Sequence, residues 1–469
     1  MNRPRASLIP AGLRAALACI ACCAIQAVLA QGIPPLPSVQ YPERKHKFSD
    51  KLPQKPSLPP LLSIPVQPLG FSASGSFYVG RLNSLASLDF LDENRLLFTF
   101  QAPGLMNRDP EEGSGSEERQ IRAVVLGLPE GKVEAETSWT LHDRARYLWM
   151  LKDGHFLLRD RDDLEEGDAQ LKMRPSLRFP GRLLWLEIDP SQKLMDTNFL
   201  EPATAAQKPD AGDGTSPSES ASAAQVQMNG AKPDASTKPH LIVRTVKRDS
   251  GQVVVENRVA LTIPVRTSSD GYTEIEAAML SGLLQHVQLP INTDGYLQAL
   301  RAGGNRWNLS LKYFAGGSKV LGQVESTCSP SSEFISEQEL VVTACALSGG
   351  WQMVAIEASG SRRWEVRTSS HETLPRLVWS ANGSRLGRET LVLNYAVDDH
   401  AHPLDAEAVK GQVVRLFDAS DGKLTLEMAV SPALDAGGNV GISPSGRRVA
   451  VLNAGSIQVF ELPATALVH

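Results

Sequence analysis

Ten residues of this chain occur twice in nearly the same form. Residues 90–99 align without a gap with residues 334–343. The aromatic (Phe90, Phe334), the glutamate (Glu93, Glu337), an apolar triplet and a threonine (Thr99, Thr343) all coincide. Each copy reads as strand, polar turn, strand. Looser versions begin at Leu148, Leu377 and Val440. Behind each comes a second unit: a hydrophobic strand, an acidic or small residue, a glycine turn and another strand, as in 124–133, 186–194, 354–364 and 414–424. Recurrence of one small unit is the mark of a repeat architecture, in which each unit buries its faces only against its neighbours.

The turns agree with this. Asp153-Gly154, Asp294-Gly295, Asn382-Gly383, Asp421-Gly422 and Ser445-Gly446 separate the apolar runs. Such dipeptides supply the positive φ that tight hairpins need. Helical periodicity is confined to one short, weakly amphipathic stretch, 274–286. The predicted class is therefore all-β. Two tandem hairpins make a four-stranded antiparallel blade, and blades stack around an axis. The final unit, ISPSGRRVAVLNAGSIQVFEL, resembles a blade of the WD40-like and quinoprotein-like β-propeller superfamilies. The resemblance extends over most of 64–463 as blade pattern. It lacks the Gly-His and Trp-Asp pairs of WD40 repeats and the tryptophan-docking signature of quinone enzymes, so no cofactor is implied.

Three biased segments interrupt the pattern. Residues 31–62 are rich in proline and lysine and read as an extended tether or surface strap. Residues 202–239 hold almost no large apolar side chain, so they cannot offset their ordering entropy and are predicted to be a disordered loop insertion. Residues 104–119 read as a shorter loop. Roughly 365 residues remain, which at about 45–52 per blade give seven or eight blades; seven is adopted. Since the last unit has only three strands, a strand near Ser72 to Leu82 is predicted to supply the fourth and close the ring. Two β-sandwich domains are the alternative.

The first thirty residues carry Arg3, Arg5 and Arg14, then an Ala-rich apolar run, then Val28-Leu29-Ala30. This is the pattern of a secretory signal cut before Gln31; an uncleaved anchor and a lipoprotein are the other readings. Export to the periplasm or beyond follows. Three of the five cysteines leave with the signal. Cys328 and Cys345 remain, either as a disulfide across neighbouring strands or as two buried thiols.

The net charge of −5 is well mixed, with no basic stripe for nucleic acid and no second apolar run to span a membrane. Walker, dinucleotide and serine-elbow motifs are missing. Asp398, Asp399, His400 and His402 form the one cluster with metal-ligand chemistry, read chiefly as a solvated loop, so no metal is assigned. The acidic run 160–166 breaks the calcium-loop alternation at Leu164 and carries Arg161. Trp149, Trp185, Trp351, Trp364 and Trp379 read as packing between blades. The functional expectation is a monomeric, non-enzymatic exported propeller that binds a protein or envelope polymer across one rim. The alternative is an exported hydrolase or lyase, recognisable by two or more carboxylates, or a His–carboxylate pair, converging at the central funnel.

Overall fold

The computed structural model describes residues 51–464 apart from 73–85, 103–106, 109–116, 143–145, 182, 201–239, 261–290, 374–375, 397–405 and 435–436. Seven antiparallel sheets follow one another along the chain and form a seven-bladed β-propeller. The first strands of the blades are Ala86–Asp92, Leu148–Met150, Leu183–Ile188, Ser331–Phe334, Arg376–Trp379 and Val440–Ile442 for blades 1, 2, 3, 5, 6 and 7. Blade 4 shows three strands among the described residues, beginning with Gly295–Gly303. Neither the signal segment, the insertion 202–239 nor the stretch 274–286 lies within the described residues.

The sequence repeat is the hairpin between the first and second strands of blades 1 and 5. Phe90 pairs with Leu96, and Phe334 with Leu340. Alternate side chains enter the two interfaces beside each blade. Leu96 and Phe98 pack towards blade 7, while Leu97 joins the core shared with blade 2. Among the described residues, six of the seven interfaces hold such an apolar cluster. Between blades 3 and 4 the buried groups of blade 3 include Asp196, Asn198 and Thr245, with Thr245 donating to Asp196 at 2.8 Å.

Closure comes from an N-terminal strand, but an earlier one than the sequence suggested. Leu62–Pro65 is the outermost strand of blade 7 and pairs with Ser456–Glu461 in the register Leu62↔Val459 to Pro65↔Ser456. Most of Ser72 to Leu82 lies outside the described residues. A proline-rich segment can do this because an outer edge strand uses only one row of its backbone groups. Ile64 and Val66 enter the core between blades 7 and 1. Upstream, Ser57 exchanges hydrogen bonds with Glu427 of blade 6, and Leu58 packs against the core of blades 6 and 7.

Two glycines show why the turn dipeptides are there. Gly383 has φ +70°, the left-handed conformation of its turn. Gly295 is required for a different reason: a Cβ there would lie 1.9 Å from the carbonyl oxygen of Lys312 on the paired strand.

The turns after the first strands meet around one end of the ring. Glu93 of blade 1 accepts from the backbone N–H (2.6 Å) and hydroxyl (2.9 Å) of Ser445 in blade 7. Its repeat partner Glu337 in blade 5 does the same to Thr293 in blade 4, at 2.9 and 2.5 Å. Glu337 also accepts from the N–H of Ser191 in blade 3. Lys152 of blade 2 donates its N–H to Gln192 of blade 3, and Asn382 of blade 6 donates to the carbonyl of Ser445. The repeated glutamate is thus a clasp on the neighbouring blade. Replacing Glu93 by alanine strips an N–H and a hydroxyl of a charged acceptor at the point of ring closure. A loss of about 1–3 kcal/mol is expected by denaturant unfolding, with Glu337→Ala equal or greater because it clasps two blades.

Cys328 and Cys345 are joined by a disulfide with Cα atoms 5.5 Å apart. It ties the connection between blades 4 and 5 to the end of the second strand of blade 5. A cross-link spanning 17 residues should contribute about 3 kcal/mol by the chain-entropy relation. The double Cys→Ser variant is expected to lose that amount in a denaturant titration, and reduction of the native chain should reproduce the loss.

Candidate functional site: the charged axis and the open rim

Because the turns after the first strands share one end of the ring, every connection from second to third strand, and from blade to blade, emerges at the other end. Blade 3 leaves this rim at Leu200 and returns at His240, and blade 6 leaves it at Leu393 and returns at Val409. The disulfide is on this rim too. Asp398, Asp399, His400 and His402 belong to the blade 6 connection and lie outside the described residues. No group of three or more His, Cys, Asp or Glu side chains suited to a metal occurs among the described residues.

Charged side chains from five blades meet at the axis. Asp89 stands on the first strand of blade 1, Glu187 on that of blade 3, Glu333 on that of blade 5 and Arg376 on that of blade 6; Arg146 lies two residues before the first strand of blade 2. Asp89 interacts with both Arg146 and Arg376, and Arg146 with both Glu187 and Glu333. The carboxyl groups of Glu187 and Glu333 hydrogen-bond to each other. Groups on five different blades can come within range of one another only near the ring axis. Arg146 is solvent-exposed.

The electrostatics follow from crowding like charges in a confined space. Burial raises the Glu333 carboxyl well above its usual range, the adjacent Glu187 raises it further, and Arg146 opposes both. Burial also raises Glu187, against Arg146, the Glu333 hydrogen bond and the Trp185 indole. Asp89 is raised by burial and partly restored by Ser87 and the two arginines. Arg146 is lowered by burial and by Arg376. The Glu187–Glu333 pair therefore holds a proton more readily than either carboxylate alone would.

Trp149, Trp351 and Trp364 are buried packing residues, and Trp379 is half-buried. Trp185 differs: it is 49% exposed, two residues before Glu187 on the same strand face. The acidic run 160–166 forms a tight turn with Arg161 at φ +57°, and Asp160 accepts from His142.

None of the axial groups was singled out from sequence. A partial signal did exist for two of them: Asp89 and Glu187 each interrupt an apolar first strand of a hairpin unit.

A second charge cluster has a structural role. Glu372, in the connection from blade 5 to blade 6, accepts from Arg388 and Arg415 at 3.0 Å each and from Thr390 at 3.2 Å, all of them buried. Glu389, on the opposite face of the same strand of blade 6, accepts from the N–H groups of Gly438 (3.1 Å) and Val440 (3.0 Å), and so fixes the entry to blade 7 beside Arg376.

Burial raises the Glu389 carboxyl to about 7, against Arg376 and those two N–H groups. Between its ordinary range and that value the folded state keeps a proton that the unfolded chain has released. Stability from this group is therefore complete at low pH and falls as pH rises towards 7. Expected is a Glu389→Gln variant whose melting temperature relative to wild type increases from pH 5 to 7.5, by up to about 3 kcal/mol in stability.

No family model matches this chain, and no curated protein sequence matches it. Solved structures do match. The WD40 domain of coronin from Toxoplasma gondii aligns over 88% of this chain and 89% of its own, at 8% identity and a TM-score of 0.41. Hydrazine synthase from Kuenenia stuttgartiensis aligns over 84% and 99%, at 10% identity and 0.38. Pyrococcus horikoshii acylaminoacyl peptidase aligns over 78% of this chain and 48% of its own, at 9% identity and 0.38. The chain spans about half the length of the acylaminoacyl peptidases it matches.

Proposed function

We propose that this protein is an exported, non-enzymatic propeller that binds a protein or envelope polymer through its open rim, with the charged axial mouth at the centre of the contact. One observation carries the reading. The strand ends at Leu200, His240, Leu393 and Val409 and the disulfide lie at one end of the ring, towards which Arg146 and Arg376 stand at the starts of their strands, while turn-to-turn hydrogen bonds knit the other end together. Loops held by a rigid scaffold are where recognition is commonly built. A mouth that presents both signs of charge suits a polar, charged segment of the partner better than an apolar one. Export is supported by the N-terminal sequence and by a disulfide, which persists in oxidising compartments.

The experiment is capture of partners from the envelope fraction with the purified mature chain, followed by cross-linking and mass spectrometry. Arg146→Glu with Arg376→Glu should weaken capture by roughly tenfold or more, on the scale of lost charged contacts. Glu130→Lys, in a turn at the knitted end, should leave capture unchanged. Equal capture by all three proteins would remove the axis from the interface. N-terminal sequencing of the secreted chain should begin at Gln31; a chain retaining Met1 would count against cleavage.

The hydrolase or lyase reading keeps one specific support, the Glu187–Glu333 carboxyl pair at the axis. It expects Glu187→Gln and Glu333→Gln each to abolish turnover of an envelope glycan or peptide while capture persists. Absence of turnover by the native protein would eliminate it.

A further inference from the structure

Between blades 2 and 3, at the knitted end of the ring, a cleft of about 240 Å³ opens to solvent. Its walls come from two turns that brace each other. Gln192 sits in the left-handed region at φ +63°. Its side-chain oxygen accepts the Lys152 N–H of blade 2 at 2.6 Å, and its backbone carbonyl accepts from the Arg248 guanidinium at 2.8 Å. The Lys152 ammonium donates to the carbonyl of Ser191. The cleft is thus held open by interactions that do not use its remaining donors.

Those donors are nearly all basic. His155 and Lys193 line the cleft, and among the described residues neither side chain has a hydrogen bond or ion pair. Arg248 has a long 3.6 Å contact to Glu166, whose carboxylate is held more closely, at 2.5 Å, by Arg174. The Glu166 charge is accordingly shared between two arginines. Asp153 is the other carboxylate of the lining. Lys152, Lys193 and Arg248 leave the cleft with an excess of positive charge, in a chain whose net charge is −5. A recessed, positively charged site focuses the field on a small anion.

We infer that this cleft is a binding site for an oxyanion, a phosphate or carboxylate group, received by Lys193, His155 and the free edge of the Arg248 guanidinium. The site lies at the opposite end of the ring from the open rim and does not depend on what that rim binds. A single phosphate or carboxylate, free or carried on a larger molecule, fits within it and matches its charge. Asp153 selects against a bulky polyanion by placing a negative charge at one wall.

The test is titration of the full-length mature chain with inorganic phosphate and, separately, with acetate, read by calorimetry and by the shift in melting temperature. Phosphate should bind with a Kd of about 1 mM. Lys193→Ala should weaken it roughly tenfold, the loss of one charged hydrogen bond. Lys193 has no partner in the fold, so this variant should melt like wild type without ligand. Stronger binding of phosphate than of acetate would identify a phosphoryl group as the ligand, and the reverse order a carboxylate. No heat and no thermal shift with either anion at about 20 mM, or equal affinity in the Lys193→Ala protein, would overturn the inference. Capture of an envelope partner at the open rim should be the same in that variant, so failure of this site and failure of the rim reading give different results.

Discussion

A ring of blades has to be held shut, and in this chain one carboxylate works at the point of closure. Glu93 bridges blade 1 to the turn of blade 7 by accepting both an N–H and a hydroxyl from Ser445. Apolar packing alone would leave the ends of the ring free to slide, since hydrophobic contact is non-directional. The clasp sets register where the chain returns to its start. The strand Leu62–Pro65 then completes blade 7 from the outside. Inner and outer closure are separate devices, one polar and directional, the other a backbone ladder seated on an apolar core.

Knitting one end has a consequence for the other. Turns that bond to each other must be short and have little freedom to grow. Length can be added only where connections do not touch their neighbours, and that is the opposite rim. The arrangement also concentrates charge. First strands converge on the axis, so polar residues on them meet counterparts from other blades however far apart they are in the chain. Asp89 and Arg376 interact across almost three hundred residues for that reason. The carboxyls of Glu187 and Glu333 are forced together likewise; burial raises both, and the Glu187 charge raises Glu333 further.

Blade 6 has a polar interior. Its second strand, Arg385–Leu393, is buried throughout yet carries Arg385, Arg388 and Glu389. Each has an opposite charge or a set of backbone donors close by: Asp418, Glu372, and the N–H groups of Gly438 and Val440. Buried ions are tolerated when paired, and breaking such a pair costs more than it ever contributed. Here the pairing anchors connections, one entering blade 6 through Glu372 and one entering blade 7 through Glu389. The polarity belongs to the chain's route between blades.

Much of the fold was legible in the residues themselves. A hairpin is local: Phe90 to Thr99 and Phe334 to Thr343 carry their own turn chemistry and alternation, so strand, turn and repeat could be read directly. Length narrowed the blade number to seven or eight. The identity of the closing strand did not, because Leu62–Pro65 looks like part of a proline-rich tether. It becomes a strand only when the far end of the chain offers Ser456–Glu461 as a partner. Even the matched glutamates, Glu93 and Glu337, were visible only as similarity; their role as clasps required Ser445 and Thr293 to be brought beside them. The same limit applied to the axis. Asp89, Arg146, Glu187, Glu333 and Arg376 are scattered singly, and each alone is an ordinary polar residue. The sequence by itself determined the all-β class and the repeating unit, because those depend on neighbours a few residues apart. Only the closed ring decided which charges meet and which rim is left open, because those depend on distances through space that no local pattern encodes.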